Sequence, residues 1–311
     1  MSTQKDKSKV RASFHGHILA DYGQWWRRQF GIEGKNLADV AAERCIEKGI
    51  DVYAITNESV FSNFEKISRF EQIFQEADSP SLKGKYKVGR IGNAFVMQSR
   101  AGKVIFLNGK SIRVSDDGRT YELLTFGSSE IPDGMNFKDT SSYLHDNGFL
   151  SVAEHPFAGG HHGAISEEKI LELWENRYID AVEHNGKIAV PEFLSLLPVQ
   201  EFKNYSRACN RRLEELADKY RIPMIANDDS DGISHIGTAY TEFDRNKIRL
   251  NSDENIIRDL NALIVNGDFK THNGYLNFLE FMRYAGWILS VKERGLGLKE
   301  KYEQKLRQKE S

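Results

Sequence analysis

The sequence has few of the features that mark a secreted or membrane-embedded protein. Only two cysteines occur among 311 residues, Cys45 and Cys209, and no metal-type spacing links them, which favours a reducing, cytoplasmic setting. No apolar run approaches the roughly 18 residues that a membrane-spanning helix needs. The first ten residues are polar and lack the apolar segment of a signal peptide, so we expect a disordered tail over residues 1–10.

Neither sign of charge dominates the composition. The chain carries 43 Lys and Arg against 45 Asp and Glu, for a net charge of -2, and this balance gives no support for a general nucleic-acid-binding surface. With 40% hydrophobic and 28% charged residues, the chain has the composition of an ordinary soluble globular protein. Residues 291–311 mix acidic and basic side chains, which predicts a solvated, charged helix or tail.

Strand-like and helix-like segments alternate along the chain. Helical periodicity covers residues 36–48, 60–77, 166–176 and 204–220, and Ser166 has the properties of an N-cap. This alternation predicts a parallel sheet of βαβ units, closed into one α/β barrel over residues 11–290 with a helical extension over about 250–290. The strand-like segments read VRASFHGHI, DVYAITN, AFVMQS, KVIFLNG, YELLTFG, FLSVAEHPF, IDAVEHN and IPMIANDD.

Polar side chains gather where these predicted strands end. In α/β barrels the chemistry lies at the carboxyl ends of the strands, so this pattern predicts an active site there. An H-x-H pair on a strand points both imidazoles to one side, and Gly16 between them lets the backbone approach a ligand. Alone, the pair is as typical of a structural site as of a metal site. The residues at the strand ends are His15, His17, Asn57, Glu58, His155, Glu183, Asn185, Asp228, Asp229 and Asp231.

From about Ser13 to Phe243, the ordered blocks resemble the PHP superfamily, the polymerase and histidinol phosphatase domain. SFHGHI resembles the opening D-x-H-x-H, FLSVAEHPF resembles the block with His-Pro, and IDAVEHNG resembles the segment ending in E-x-x-N. AAERCIEKGIDVYAITNES, FLNGKSIRV, YELLTFG and NRRLEELADKYRIPMIANDDSDGISHIGTAYTEF resemble the intervening and closing blocks. The resemblance implies a distorted TIM-like (β/α)7 barrel with two or three metal ions that hydrolyses phosphoesters.

Compared with the family pattern, the match of site residues is partial. His15, His17, His155 and Asp229 stand at ligand positions. Asn57 replaces an aspartate, Ser111 replaces a bridging glutamate and Ser13 replaces the aspartate of the opening block. Three histidines of the family pattern are replaced by carboxylates, at Glu58, Glu122 and Asp231.

These departures predict a smaller metal centre than the family pattern holds. Oxygen ligands suit harder ions, and a serine is a poor replacement for a bridging carboxylate. We therefore expect one or two divalent ions (Mn, Zn, Fe or Mg) rather than three. The first would be held by His15, His17 and Asp229, and the second by His155 and Glu122.

Two functions agree with this ligand set. The first is a metal-dependent phosphoesterase acting on a phosphorylated metabolite, a nucleotide or a nucleic-acid end, in which Asp231 or Glu58 takes the proton. The candidate substrate-binding residues are Asn57, Arg11, His184 and Lys187. The second is a non-enzymatic PHP-fold binding or assembly subunit that works with a partner ATPase or nuclease. The sequence leaves open whether Glu58 is a ligand or a helix cap, and whether the chain forms a homo-oligomer.

Overall fold

The structure is a computed structural model that describes residues 6–18, 34–58, 68–158, 164–188, 190–196, 203, 205–230, 232–277 and 279–282. The predicted C-terminal tail over 291–311 lies outside these residues. Within the described part of the chain, no helix combines the length and apolarity needed to cross a membrane.

The described secondary structure consists of strands, α-helices and short 3-10 turns. The strands are β1 (Lys9–Ser13), β2 (Val52–Glu58), β3 (Lys87–Ile91), β4 (Ala94–Gln98), β5 (Lys103–Asp116), β6 (Arg119–Phe126), β7 (Val152–Ala153), β8 (Ala181–Asn185), β9 (Met224–Asn227), β10 (Tyr240–Asp244) and β11 (Lys270–His272). The α-helices are α1 (Leu37–Lys48), α2 (Arg69–Ala77), α3 (Phe137–Asp146), α4 (Glu167–Glu175), α5 (Arg207–Tyr220) and α6 (Asp253–Val265).

All the described strands belong to one sheet that nearly closes on itself. The strand order is β11-β10-β1-β2-β5-β6-β7-β8-β9, and the β3–β4 hairpin adds to β5. The two ends of the sheet meet where β1 approaches β9, since the Phe14 amide donates to Asn227 Oδ1 at 2.7 Å and Gly16 forms a parallel bridge with Ser230. The α/β barrel predicted from the sequence is confirmed as a nearly closed, mixed α/β barrel.

The sheet differs from the predicted all-parallel arrangement. The pairs β1–β2, β2–β5, β7–β8 and β8–β9 are parallel, but β5–β6 and β6–β7 are antiparallel. The cause is a tight hairpin between β5 and β6, where Asp117 and Gly118 both have positive φ. An Asp-Gly pair is a strong signal for a two-residue type I′ turn, so this hairpin had a sequence signature.

Helix boundaries follow ordinary capping chemistry. As predicted, Ser166 caps α4, because its side chain accepts a hydrogen bond from the Lys169 amide at 3.2 Å. Asn36 caps α1 in the same way by accepting from Asp39, and Gly49 ends that helix with φ 72°. The side chains of Ser166 and Asn36 each satisfy an amide that the first turn of a helix leaves without an intrahelical partner, whereas the Gly49 amide donates to carbonyls of the last turn.

The predicted domain boundaries fit the elements only in part. Strand β1 begins at Lys9, within the 1–10 range predicted as a tail, and residues 1–5 lie outside the described chain. The predicted helical extension contains α6 but also strand β11, which pairs antiparallel with β10. Apolar residues at helical spacing dominate this region of the sequence, so the pattern predicts helix and does not indicate the short edge strand β11.

The inward face of the barrel changes from apolar to polar along its strands. Alternate residues share a face of a strand, and one core cluster contains Val152, Ala181 and Ile225 together with residues of β1, β2, β5 and α6. Two residues further along the same faces, the side chains are polar and buried: Glu154, Glu183 and Asn227. These buried polar side chains therefore form a layer inside the barrel at the carboxyl ends of the strands, which we call the polar floor.

Candidate metal centre

The two histidines after β1 lie at the middle of this polar floor, and both are buried. His15 Nδ1 is 2.8 Å from Glu183 Oε1, and His17 Nδ1 is 3.2 Å from the carbonyl oxygen of Thr56. The two Nε2 atoms face each other at 3.0 Å. The sequence predicted that both rings point to the same side, and the structure brings them together.

Gly16 makes this arrangement possible, but through a different contact from the one we predicted. A Cβ atom at this position would lie 1.8 Å from the hydroxyl oxygen of the buried Tyr53 side chain. The Gly16 carbonyl accepts a hydrogen bond from the Thr56 amide at 2.7 Å. Gly16 therefore admits an aromatic ring of β2 against the backbone, rather than a ligand.

Asp229 completes the first group of possible metal ligands. Its Oδ1 atom is 3.3 Å from His17 Nε2 and 3.5 Å from His15 Nε2. Asn185 donates to Oδ2 at 2.6 Å, and Lys187 Nζ lies 2.8 Å from Oδ1. One ligand atom from each of His15, His17 and Asp229 lies within 4.8 Å of the others.

Asp229 turns into the centre because the backbone leaves the strand conformation there. Its φ is 45°, a value that non-glycine residues seldom adopt and that is often kept at functional sites. The preceding Asp228 points elsewhere: its carboxylate accepts from Ser13 Oγ at 3.1 Å and from the Gly237 amide at 2.6 Å. Burial raises the pKa of Asp228 to about 7.

A second group of possible ligands lies beside the first. One ligand atom from each of Glu122, Glu154 and His155 again lies within 4.8 Å of the others. His155 has φ 25°, so two consecutive residues, Glu154 and His155, both face the centre. Glu154 Oε1 is 3.2 Å from His155 Nε2 and 3.4 Å from His15 Nε2.

The centre carries more negative than positive charge. Burial opposes the charged form of an imidazole, but the carboxylates of Asp229, Glu183 and Glu154 outweigh it and raise the pKa of His15 to about 9. Burial is likewise outweighed at His155, where Glu154 raises the pKa to about 10. A buried cluster with this balance favours a bound positive charge.

The residues of the first group fit a divalent cation. The Thr56 carbonyl can only accept, so His17 carries its proton on Nδ1, and His15 donates from Nδ1 to the Glu183 carboxylate. In the neutral rings, both Nε2 lone pairs then point at each other and at Asp229 Oδ1. The Lys187 ammonium lies 2.8 Å from that same buried oxygen. Two ring nitrogens and a carboxylate oxygen that converge in this way are an arrangement that a divalent cation would satisfy once it displaces the ring protons between them.

The remaining predicted site residues are placed less uniformly. Lys187 reaches the centre through Asp229. Asn57 has its amide in structural contacts, since it donates to Asn108 Oδ1 at 2.9 Å and accepts from the Arg69 amide at 2.7 Å. Asp231 and the side chain of Glu58 lie outside the described residues.

The structure does not bring Arg11 or His184 to the centre. Arg11 lies at the other end of the barrel, where its amide donates to Asp51 just before β2 and its guanidinium pairs with Glu242 at 3.1 Å. His184 points outward from β8, with Nδ1 3.0 Å from Glu214 of α5. Its neighbours Glu183 and Asn185 face inward, so strand alternation already indicated the outward position.

Two carboxylates of the centre were absent from the predicted ligand set. Glu183 orients His15, and it also accepts from the His155 amide at 3.0 Å. Glu154 lies between His15 and His155. Both have a sequence signal, because they follow the inward-facing Ala181 and Val152 by two residues on the same strand face.

Replacing Glu183 by glutamine will weaken cation binding without removing any atom of the first ligand group. The neutral side chain no longer holds the Nδ1 proton of His15, and outer carboxylates of this kind typically contribute about 10–100-fold to metal affinity. Titration calorimetry with Mn²⁺ measures the effect. Glu214→Gln is the matched control because it removes the carboxylate next to His184, outside the centre. An affinity for Glu183→Gln equal to the wild-type value would contradict this role.

Together, the fold and the centre define a nearly closed α/β barrel with a histidine–carboxylate cluster at the carboxyl ends of its strands. Residues 208–262, from α5 into α6, match the family model described as PHP-associated. No curated protein matches the chain.

The solved structures that share this fold include the following two. PsfC from Pseudomonas syringae matches with a TM-score of 0.51 and 13% identity, over 92% of this chain and 99% of PsfC. A two-domain protein from Bacteroides vulgatus, which contains a predicted PHP-like metal-dependent phosphoesterase, matches with a TM-score of 0.50 and 11% identity, over 86% of this chain. The chain spans 65% of the length of that second protein. The resemblance to the PHP domain is thus confirmed in the fold and in the PHP-associated segment.

Proposed function

We propose that this protein is a metal-dependent phosphoesterase whose centre is held by His15, His17 and Asp229. The observation that carries the proposal is the convergence of three buried electron-pair donors, with the Nδ1 atoms of both rings already engaged by Glu183 and Thr56. A PHP-like barrel supplies the setting, since its carboxyl-terminal strand ends are where such chemistry lies. The structural likeness to the Bacteroides vulgatus protein supports the same class of reaction.

The residues of the chain would divide the work as follows. A bound divalent cation lowers the pKa of water and screens the charge of a phosphoryl group. Lys187 is a buried cation 2.8 Å from Asp229, and we propose that it binds a phosphoryl oxygen of the substrate. Asn185 fixes the orientation of Asp229 through its Oδ2 atom. Asp231 and Glu58 stay our candidates for proton transfer.

The donor set favours some ions and substrates over others. Two imidazoles beside several carboxylates favour manganese, iron or zinc over magnesium, which prefers oxygen ligands and water. The excess of carboxylates repels an anionic substrate unless a cation is bound, so metal and substrate should bind in that order. The substrate class we propose is a phosphorylated metabolite, a nucleotide or a nucleic-acid end.

Metal analysis joined to a substrate screen tests this function. We expect the purified full chain to hold divalent metal at or above one equivalent, and to hydrolyse a generic phosphoester after Mn²⁺ is added. Chelation should remove both the metal and the activity, and re-addition of Mn²⁺ should restore them. A protein that binds no divalent metal and stays inert with Mn²⁺, Zn²⁺ and Mg²⁺ would overturn the proposal.

The observed contacts of Asn57 favour a second candidate function, a PHP-fold binding or assembly subunit without catalysis. The amide of Asn57 bonds to Asn108, Gly109 and the start of α2, so this position serves the fold rather than a ligand. A protein that holds metal tightly yet hydrolyses no phosphoester in the screen would support this candidate. Co-purification with a partner ATPase or nuclease would then identify what it assembles with.

A further inference from the structure

We infer that Glu154 joins the two ligand groups into a single centre for two cations, with Ser111 as its positioning residue. The inference rests on the cation binding of the proposed function. It assigns to the residue that directly follows β7 the bridging role that the resemblance would place on β5, where this chain has Ser111.

The first support is the position of one carboxylate oxygen. Glu154 Oε1 is 3.4 Å from Nε2 of His15, a member of the first group, and 3.2 Å from Nε2 of His155, a member of the second. The distances from this oxygen to the two histidines differ by little. An oxygen with two lone pairs in such a position can serve both groups at once.

The second support is the way in which the other oxygen is held. Ser111 Oγ donates to Glu154 Oε2 at 2.6 Å, and both side chains are buried. The serine therefore contacts the carboxylate directly and keeps it from rotating. The loss of a carboxylate at residue 111 does not leave this part of the centre without one, because Glu154 reaches the same place from the neighbouring side of the barrel.

The third support is the backbone around Glu154. Glu154 follows the inward-facing Val152 by two residues, so its side chain continues the alternation of the strand that it follows. His155 joins it only because its φ of 25° breaks the alternation. Adjacent residues that both face one centre are costly in backbone strain, and such strain tends to persist where both side chains have a role.

The test is a Mn²⁺ titration of the metal-free full chain, read by binding stoichiometry and by electron paramagnetic resonance. Two manganese ions that share a carboxylate are magnetically coupled, whereas isolated ions give the ordinary six-line signal. We expect two equivalents with a coupled signal in the wild type. Glu154→Gln should bind one equivalent and show only the uncoupled signal. The neutral amide cannot neutralise the charge of two ions, whereas His15, His17 and Asp229 remain to hold the first ion.

Three further variants make the result specific. Ser111→Ala should keep both equivalents but bind the second about 10-fold more weakly, as expected for loss of an outer hydrogen bond. The exchange Ser111→Glu with Glu154→Ser returns the carboxylate to β5 and should restore the coupled signal. Glu130→Gln, which changes an exposed carboxylate, should match the wild type.

The outcomes separate this inference from the proposed function. A wild type that binds one ion only, or two uncoupled ions, overturns the bridge and leaves the phosphoesterase proposal standing. Coupled ions in Glu154→Gln overturn the bridge as well. A wild type that binds no ion overturns both proposals. If Glu154→Gln does not fold, the wild-type signal and the Ser111→Ala affinity still decide the matter.

Discussion

Replacing both His15 and His17 by alanine will abolish stoichiometric cation binding and reduce phosphoesterase activity by more than about 100-fold. A residue that binds the ion directly contributes at least as much as the outer residues that support it. The two rings supply two of the three converging donor atoms in the first group. Without them, Asp229 retains Lys187 and Asn185 as partners and has no other ligand from this group. Elemental analysis and hydrolysis of a generic phosphoester with added Mn²⁺ measure the two losses.

The control for this variant is a pair of histidines on the surface. His145 and His272 are exposed to 38% and 44%, and the double variant His145→Ala/His272→Ala should retain the metal and the activity of the wild type. The His15→Ala/His17→Ala protein must also be folded, because two buried rings are lost from the barrel. Its far-ultraviolet circular dichroism should match the wild type. Unchanged metal content in a folded double variant would exclude these rings as ligands.

Replacing Gly16 by alanine will destabilise the protein by about 3 kcal/mol or more, at the upper end of the usual overpacking cost. The added methyl group would lie 1.8 Å from the hydroxyl oxygen and 2.3 Å from Cζ of Tyr53. That ring is fully buried and its hydroxyl bonds to Ser230 next to Asp229, so it cannot move without disturbing the loop that carries Asp229. We expect the melting temperature to fall by roughly 6 °C or more, and the affinity for Mn²⁺ to fall with it.

Gly84→Ala is the matched control, since a Cβ atom at residue 84 meets nothing within 4 Å. It makes the same chemical change at an exposed turn and should melt within about 1 °C of the wild type, as expected for a surface substitution. Differential scanning fluorimetry with and without Mn²⁺ compares the two variants. Equal melting temperatures for Gly16→Ala and the wild type would show that Tyr53 can yield at low cost.

Much of the barrel could be predicted from local sequence pattern. The eight predicted strand segments all contain strands, and the histidine pair and Asp229 meet although they are separated by most of the chain. This succeeded because apolar periodicity and barrel geometry act together: once strands are parallel and adjacent, their carboxyl ends converge. The strand β6 was predicted, but its antiparallel direction was not. The alternation of strands and helices predicted a parallel sheet, whereas the Asp117-Gly118 turn indicates a hairpin.

The rest of the centre depends on backbone conformations with positive φ that the residue types at those positions do not indicate. His155 faces the centre through a positive φ, whereas Glu154 beside it faces the same way through ordinary alternation. The resemblance therefore predicted His155 as a ligand, whereas Glu154, which strand alternation favours, was not predicted. His184 and Arg11 were predicted as site residues because they lie close in sequence to residues of the centre. His184 faces outward because side chains alternate along β8, and Arg11 lies at the opposite end of the barrel.

The closure of the barrel determines when the centre can exist during the life of the chain. The contacts that join β1 to β9 link residues more than 200 positions apart, such as Ser13 with Asp228 at a separation of 215. A nascent chain that has not yet released β9 from the ribosome holds His15 and His17 without Asp229. Such long-range pairing forms late in folding. A ligand that binds only the native state stabilises that state, so a bound ion would stabilise the closed barrel. Metal content would then report how much of a preparation has completed its fold.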